Sequence, residues 1–418
     1  MTVFQTIALL LSVAAAGAAI NYGFLKLPST VGLMTFSLVL SMFGLGLNHL
    51  GWIDLSGASQ FVASVNFSSI LLHGLLSFLL FAGGLQINLS DLKRYRTIVT
   101  VLSTLSVVVA CFITGSIVWW VASIAGFPIP YIDALLFGAL IAPTDPVAVM
   151  AILKETAMPN DLRVKIGSES LLNDGVGVVL FLALLGLAQH PHLEMAPERI
   201  GLLVLWSGWG GILMGLALGW IGLHILMLID DYKVEVLITL ALASGGYCLA
   251  EFAQVSAPIT MVVAGLVIGN HGRILGMSNR TRKHVDMFWE LLDEILNAVL
   301  FILMGLEMLV IKFEANQMPL GLAAIFGTLL GRYISVAIPV GLMRSHYDFG
   351  RGTVALLTWG GLRGGISIAL ALSLPNLPTK PVILTMTYLT VIFSVLLQGT
   401  TFKALAQRFV RTTPAPSD

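Results

Sequence analysis

The sequence predicts an all-α polytopic membrane protein of about thirteen transmembrane helices, arranged as an inverted repeat with two broken helices. Three observations predict it. Of 418 residues, 57% are hydrophobic and only 11% charged, where a soluble domain carries about 25% charged residues. Apolar runs recur along the whole chain, each near the ~20 residues that a spanning helix needs. They are continuous rather than alternating, which argues against a β-barrel. Two of these runs are interrupted, one by prolines and one by glycines, and the interruptions lie far apart in sequence.

The expected spans cover residues 3–21, 29–47, 66–88, 97–125, 131–153, 164–189, 199–228, 234–252, 257–270, 286–311, 319–343, 351–374 and 381–405. The first is read as a span and not a signal peptide, because no Lys or Arg precedes Lys26 and a signal peptide needs a basic start. Gly211, Gly215 and Gly219 form a small-residue stripe on span seven, the mark of a close helix contact. Cys111 and Cys248 lie inside apolar runs and are read as packing residues. With net charge zero, there is no basic field for nucleic acid.

Span five is broken at Ala142-Pro143-Thr144-Asp145-Pro146. Each proline lacks an N–H and clashes with the carbonyl four residues back, so the carbonyls of Ala139 and Ala142 are freed. Span twelve holds Gly360-Gly361-Leu362-Arg363-Gly364-Gly365, a run that weakens a helix. Irregular backbone at membrane depth persists only where it is buried or lines a cavity. The breaks are seven spans apart, so the two helices run in opposite directions. Spans 1–6 and 8–13 then form inverted halves joined by span seven, the pattern that points to a transporter site near the midplane.

Loops after odd-numbered spans, with the tail, hold 17 of the 22 Lys and Arg residues and the opposite loops hold three. The positive-inside rule places the N-terminus outside and the C-terminus in the cytoplasm. The last two cations, Arg332 and Arg363, are intramembrane.

Asp145, Glu169 and Asp174 also lie within spans, at about 2.5–3.5 kcal/mol each for a charge at the helix centre. Asp145, Asp174 and Arg363 reach similar depths. Ser170 and Asp174 are four apart and share a helix face. Glu169 is about 140° around the helix from Asp174 and is expected to hold Arg332. Asp174, Ser170 and the freed carbonyls form an oxygen-only set, which suits a hard cation. Asp145 is also read as offsetting the helix dipole, and Arg363 as balancing a half-helix end in span twelve. His73 is read as a neutral core histidine. Glu307, Asp293 and Glu294 receive no role.

These residues carry a resemblance. Thr144-Asp145-Pro146, Glu169-Ser170-Leu171-Leu172-Asn173-Asp174, Phe288 to Glu307, Gly331-Arg332 and Gly360-Gly361-Leu362-Arg363-Gly364 resemble, in order, the cation–proton antiporters. The similarity is to the NhaP-like branch, related to animal sodium–proton exchangers. It implies a NhaA-like fold and a secondary transporter, not an enzyme. It implies dimerisation segments over residues 1–90 (spans 1–3) and 191–315 (spans 7–10, with the connector). Core transport segments would cover 91–190 (spans 4–6) and 316–418 (spans 11–13 and a short cytoplasmic tail). It implies Asp174 as the carboxylate shared by ion and proton. Thr144, Asp145 and Ser170 would complete a Na+ site, and Glu169 would brace Arg332. Asn173 resembles the electroneutral branch. One departure is Ala82, where some relatives carry a glutamate.

The reading that follows is one-for-one exchange of Na+ (or Li+) for H+ by alternating access, in a homodimer in the plasma (inner) membrane, with no cofactor. A K+/H+ antiporter of the same fold is the nearest alternative. An intramembrane aspartyl protease lacks support, since no Gly precedes Asp145. A passive cation channel would conduct without a pH gradient.

Overall fold

The computed structural model describes residues 3–64, 67–145, 149–150, 153, 160–189, 197–310, 315–345, 347, 349 and 352–410. Pro146, Lys154, Lys312, Arg351 and Arg411, used in the motif and charge readings, lie outside them. The described residues form helices and their connections, with no strand among them.

We number the principal helices α1 (Val3–Ile20), α2 (Ser29–His49), α3 (Leu76–Gln86), α4 (Leu89–Ser103), α5 (Leu105–Ile124), α6 (Tyr131–Ile141), α7 (Asn160–Gln189) and α8 (Pro197–Leu226). There follow α9 (Tyr232–Phe252), α10 (Ala257–Val267), α11 (Asn279–Glu307), α12 (Met318–Met343), α13 (Thr353–Trp359), α14 (Gly365–Ser373), α15 (Lys380–Phe393) and α16 (Thr400–Val410). Among the described residues, nine helical stretches are long and apolar enough to cross a membrane. The remaining expected spans are interrupted (five and twelve), short (α10) or too charged (α11).

Local chemistry sets several of the starts. Asn88 accepts from Ser90 N–H before α4, Asp231 from Lys233 N–H before α9, Ser256 from Ile259 N–H before α10, and Ser278 from Thr281 N–H before α11. Each side chain satisfies one of the orphan donors at a helix start. The Asn88 cap explains one difference from expectation. The fourth span starts at Leu89, not near residue 97, because α4 begins in polar sequence that hydropathy does not register. A bend at Thr104, whose hydroxyl donates to the Thr100 carbonyl at 2.6 Å, joins α4 to α5.

Spans five and twelve are both interrupted. Span five stops as a helix at Ile141 and span twelve unwinds between Trp359 and Gly365. Pro143 accounts for the first stop and the glycine run for the second.

Packing follows two groups. In one, α5 lies along α12 more extensively than any other pair, α7 packs on α4 and α6, and α15 packs on α12 and α14. In the other, α10 is gripped by α3 and α8, while α11 packs on α2. The glycine stripe makes a contact within the chain: a Cβ at Gly211 would come to 2.8 Å from the Ser256 carbonyl, and one at Gly215 to 2.6 Å from that of Thr260. The Ser37 and Ser41 hydroxyls donate to the carbonyls of Phe301 and Gly305 at 2.9 and 2.7 Å, locking α2 to α11.

Several readings change. His73 is not a core residue: its side chain is 59% exposed and its Nδ1 lies 2.6 Å from Glu251 Oε1. A π-helical turn at Leu71–Leu75 carries it outward. Cys111 is buried, but Cys248 is exposed. Lys165, one of the 17 cations assigned above to the loops after odd-numbered spans although it falls at the edge of the span 164–189, is buried on α7 over the Tyr95 ring at 4.7 Å.

Candidate functional site

The two interrupted spans meet at their breaks. Asp145 N–H donates to the Leu362 carbonyl at 2.7 Å. Arg363 N–H donates to Ser394 Oγ at 2.9 Å, fixing the second break to a π-helical turn at Ser394–Gly399. The Arg363 guanidinium donates to the carbonyls of Ala142 and Pro143. This cation therefore closes the negative end of α6, in span five, rather than an end within span twelve. The carbonyl of Ala142, freed by sequence reasoning for a cation, is occupied by Arg363. Asp145 faces the start of α14, since a Cβ on Gly364 would come to 2.6 Å from Asp145 Oδ2. Each break thus carries the charge that offsets the helix end of the other.

α7 crosses beside the breaks and presents three faces. Toward the break, Thr144 N–H donates to Asn173 Oδ1 (3.2 Å), and Asn173 Nδ2 donates to Thr144 Oγ1 (2.8 Å). Thr144 Oγ1 also shares a hydrogen bond with Ser170 Oγ (3.0 Å). Toward α12, Glu169 Oε1 lies 2.5 Å from Arg332 Nη1, both side chains being buried. Arg332 Nε donates to the Leu357 carbonyl at 3.2 Å. The third face opens on a cavity.

That cavity, of about 1000 Å³, has Pro143, Thr144, Asp145 and Asp174 in its wall. Asp174 is 4% exposed, and none of the described residues hydrogen-bonds its carboxylate. The lining excludes Ser170 and Asn173 and includes Gly167, Ser168 and Leu171. Ser170 is thus turned toward Thr144 rather than standing beside Asp174 in the cavity. The four-residue spacing placed the two on one side of α7, but the break approaches at an angle between them.

The opposite wall is α11, with Asp293 and Asn297, and the rim includes exposed Gln86, Asn88, Glu290 and Glu294. Asp293 and Glu294 carry no role that the sequence alone reveals. The signal was present in the polar face of α11, which alternates with apolar residues at helical spacing and faces water only if a cavity enters the bundle. Ala82 is 1% exposed and packs away from this space, whereas its neighbour Gly83 lines it. Among the described residues, no group of three or more His, Cys, Asp or Glu side chains could hold a metal ion.

A model of the family described as "Sodium/hydrogen exchanger, transmembrane" matches residues 9–408. The chain belongs to the sodium/hydrogen exchanger family. It is a transporter and not an enzyme. Within this family it is 43% identical, over 403 residues and 94% of each chain, to the Na(+)/H(+) antiporter NhaP of Pseudomonas aeruginosa. It is 32% identical to the Na(+)/H(+) antiporter NhaH of Halobacillus dabanensis, over 97% of this chain and 98% of the other. The exchanger fold is shared with the sodium proton antiporter MjNhaP1 of Methanocaldococcus jannaschii at a TM-score of 0.74 and 22% identity, over 97% and 98% of the two chains.

Proposed function

We propose that this exchanger moves Na+ or Li+ against H+, one for one, with Asp174 as the group that carries either. The observation behind the reading is the position of Asp174: a carboxylate without a hydrogen-bonding partner among the described residues, at the wall of a large cavity and beside two broken helices. An uncompensated charge at that depth is costly. The carboxylate is therefore stable with a proton on it or with a cation against it, and the two compete. Thr144 and Asp145 supply further oxygens at the same wall, while Ser170 and Asn173 hold Thr144 in place. Glu169 and Arg332 brace α7 against α12, and Arg363 holds the end of α6.

If the charged, empty site does not cross, only loaded forms alternate and exchange is obligatory. One carboxylate carrying one Na+ or one H+ has the same net charge in both passages, which makes exchange independent of voltage. The packing supports a division into a moving core of spans 4–6 and 11–13 and a dimerising scaffold of spans 1–3 and 7–10. Bacterial relatives support an inner-membrane location, the Lys/Arg distribution supports an N-terminus outside, and the homodimer rests on the family resemblance alone. The names of the relatives support Na+ over K+.

The test is fluorescence dequenching in proteoliposomes bearing an imposed pH gradient, with Na+, Li+ and K+ added separately at several pH values. The expected result is dequenching by Na+ and Li+, lost in Asp174→Asn. Dequenching by K+ alone, or current on a solid-supported membrane, would overturn the cation or the stoichiometry respectively.

A further inference from the structure

Behind the crossing lies a second, much smaller void of about 10 Å³, walled by Thr30, Asp145 and Arg363 and sealed by apolar side chains including Val31, Met34 and Phe301. Thr30 and Asp145 also line the large cavity, so the void is a back chamber of the same site. Two of its polar wall residues carry a buried atom with no hydrogen-bond partner: Thr30 Oγ1 and Arg363 Nε. These residues are 7% and 2% exposed. An unsatisfied buried polar atom costs about 1–3 kcal/mol, so two of them around one void call for a shared occupant.

Charge decides what the occupant is. The Arg363 guanidinium repels a cation, and Asp145 repels an anion. A neutral molecule that both accepts and donates satisfies the two orphaned atoms and is compatible with the neighbouring carboxylate. The volume is close to the ~10–15 Å³ that holds one water, and three polar neighbours fall within the two to four that an ordered water needs.

We propose that one water molecule occupies this void, accepting from Arg363 Nε–H and donating to Thr30 Oγ1 and to the Asp145 carboxylate. Thr30 is the second residue of α2, which packs on α11, whereas Asp145 and Arg363 belong to the two breaks. The water therefore spans the seam between the scaffold and the core of the exchange cycle proposed above, and in that respect rests on that reading. It tethers the arrangement in which the large cavity is open.

The direct test is a structure of the full-length protein in lipid nanodiscs at a resolution that shows ordered solvent. The expected result is one solvent peak within about 2.7–3.2 Å of Thr30 Oγ1 and Arg363 Nε. A void without density, or filled by a side chain, overturns the proposal. The tether is tested by maleimide labelling of Ala298→Cys, which lines the large cavity, in a Cys248→Ser background. Thr30→Val lowers labelling, by up to the about fivefold change in equilibrium constant that one lost hydrogen bond gives, and Thr30→Ser retains it. Equal labelling in all three backgrounds overturns the tether. Neither readout involves cation flux, so each stands or falls separately from the exchange reading.

Discussion

Asp145 and Leu362 join the two broken spans by one backbone hydrogen bond of 2.7 Å. The donor belongs to the proline break and the acceptor to the glycine break, so each supplies what the other's unwinding leaves unmet. The two breaks are one structural unit, and changes at either are expected to act on both.

Gly364→Ala tests that unit. The added Cβ would lie 2.6 Å from Asp145 Oδ2 and 2.9 Å from its Cβ, closer than packed atoms tolerate. Overpacking of this kind costs about 1–3 kcal/mol. A lower thermal midpoint in detergent and a loss of Na+-driven dequenching are expected. Gly341→Ala is the control, because a Cβ there meets nothing within 4 Å. Equal behaviour of the two variants would show that the breaks are not closely packed.

Glu169→Gln leaves Arg332 buried without its charge partner. Removing one member of a buried pair costs about 3–5 kcal/mol, so a marked fall in the melting temperature of purified protein is expected. Adding Arg332→Gln removes the stranded charge, and the double variant is expected to melt above Glu169→Gln alone. A double variant no better than the worse single one would argue that the pair is not the brace.

Asp174→Asn keeps the side-chain volume and removes the ionisable group. Normal expression, a monodisperse size-exclusion peak and no exchange at any pH are the expected outcome. Retained exchange would move the carrier role to another carboxylate of the cavity, Asp145 first.

Thr144→Val removes a hydroxyl that both Asn173 and Ser170 hold, at 2.8 and 3.0 Å. Each lost hydrogen bond is worth about 1 kcal/mol, and both freed partners are buried. A raised apparent KM for Na+ is expected with Thr144→Val, with Thr144→Ser close to the native value. No shift would mean that Thr144 is held for packing alone.

The carboxylates of α11 act at longer range. Asp293 and Glu294 line the same cavity as Asp174. Asp293→Asn with Glu294→Gln is expected to weaken apparent Na+ affinity at low ionic strength. The difference should shrink as choline chloride is added, because salt screens charges beyond about 8 Å at physiological strength. A salt-independent effect would indicate direct ligation instead.

Much of the architecture was legible in the sequence because lipid leaves few options. A spanning segment must be a helix of near-fixed length, and its interruptions are visible as Pro143 and the Gly360–Gly365 run. The separation of Glu169 from Asp174 was also legible, since helical geometry alone turns them apart. The direction of Ser170 was not, because it depends on the angle at which Thr144 approaches α7. Arg363 could have served either half-helix nearby, and only the crossing shows that it serves α6. Asp293 stayed silent because a polar helix face reads the same whether it meets loops or an internal cavity. His73 misled because a π-helical turn shifts the side-chain phase that an α-helical reading assumes.

The helix that runs from Leu89 through the Thr104 bend to Ile124 is 36 residues long, or about 54 Å at 1.5 Å per residue. The hydrocarbon layer is only about 30 Å thick. The first turns of α4, bearing Lys93, Arg94 and Arg96, therefore belong to the headgroup region, while α5 beyond the bend packs along α12. If the core rocks, these three cations sweep through the headgroups, where each interacts with an anionic surface by about 1 kcal/mol. The lipid charge of the leaflet would then enter the energy difference between the two access states, and with it their populations.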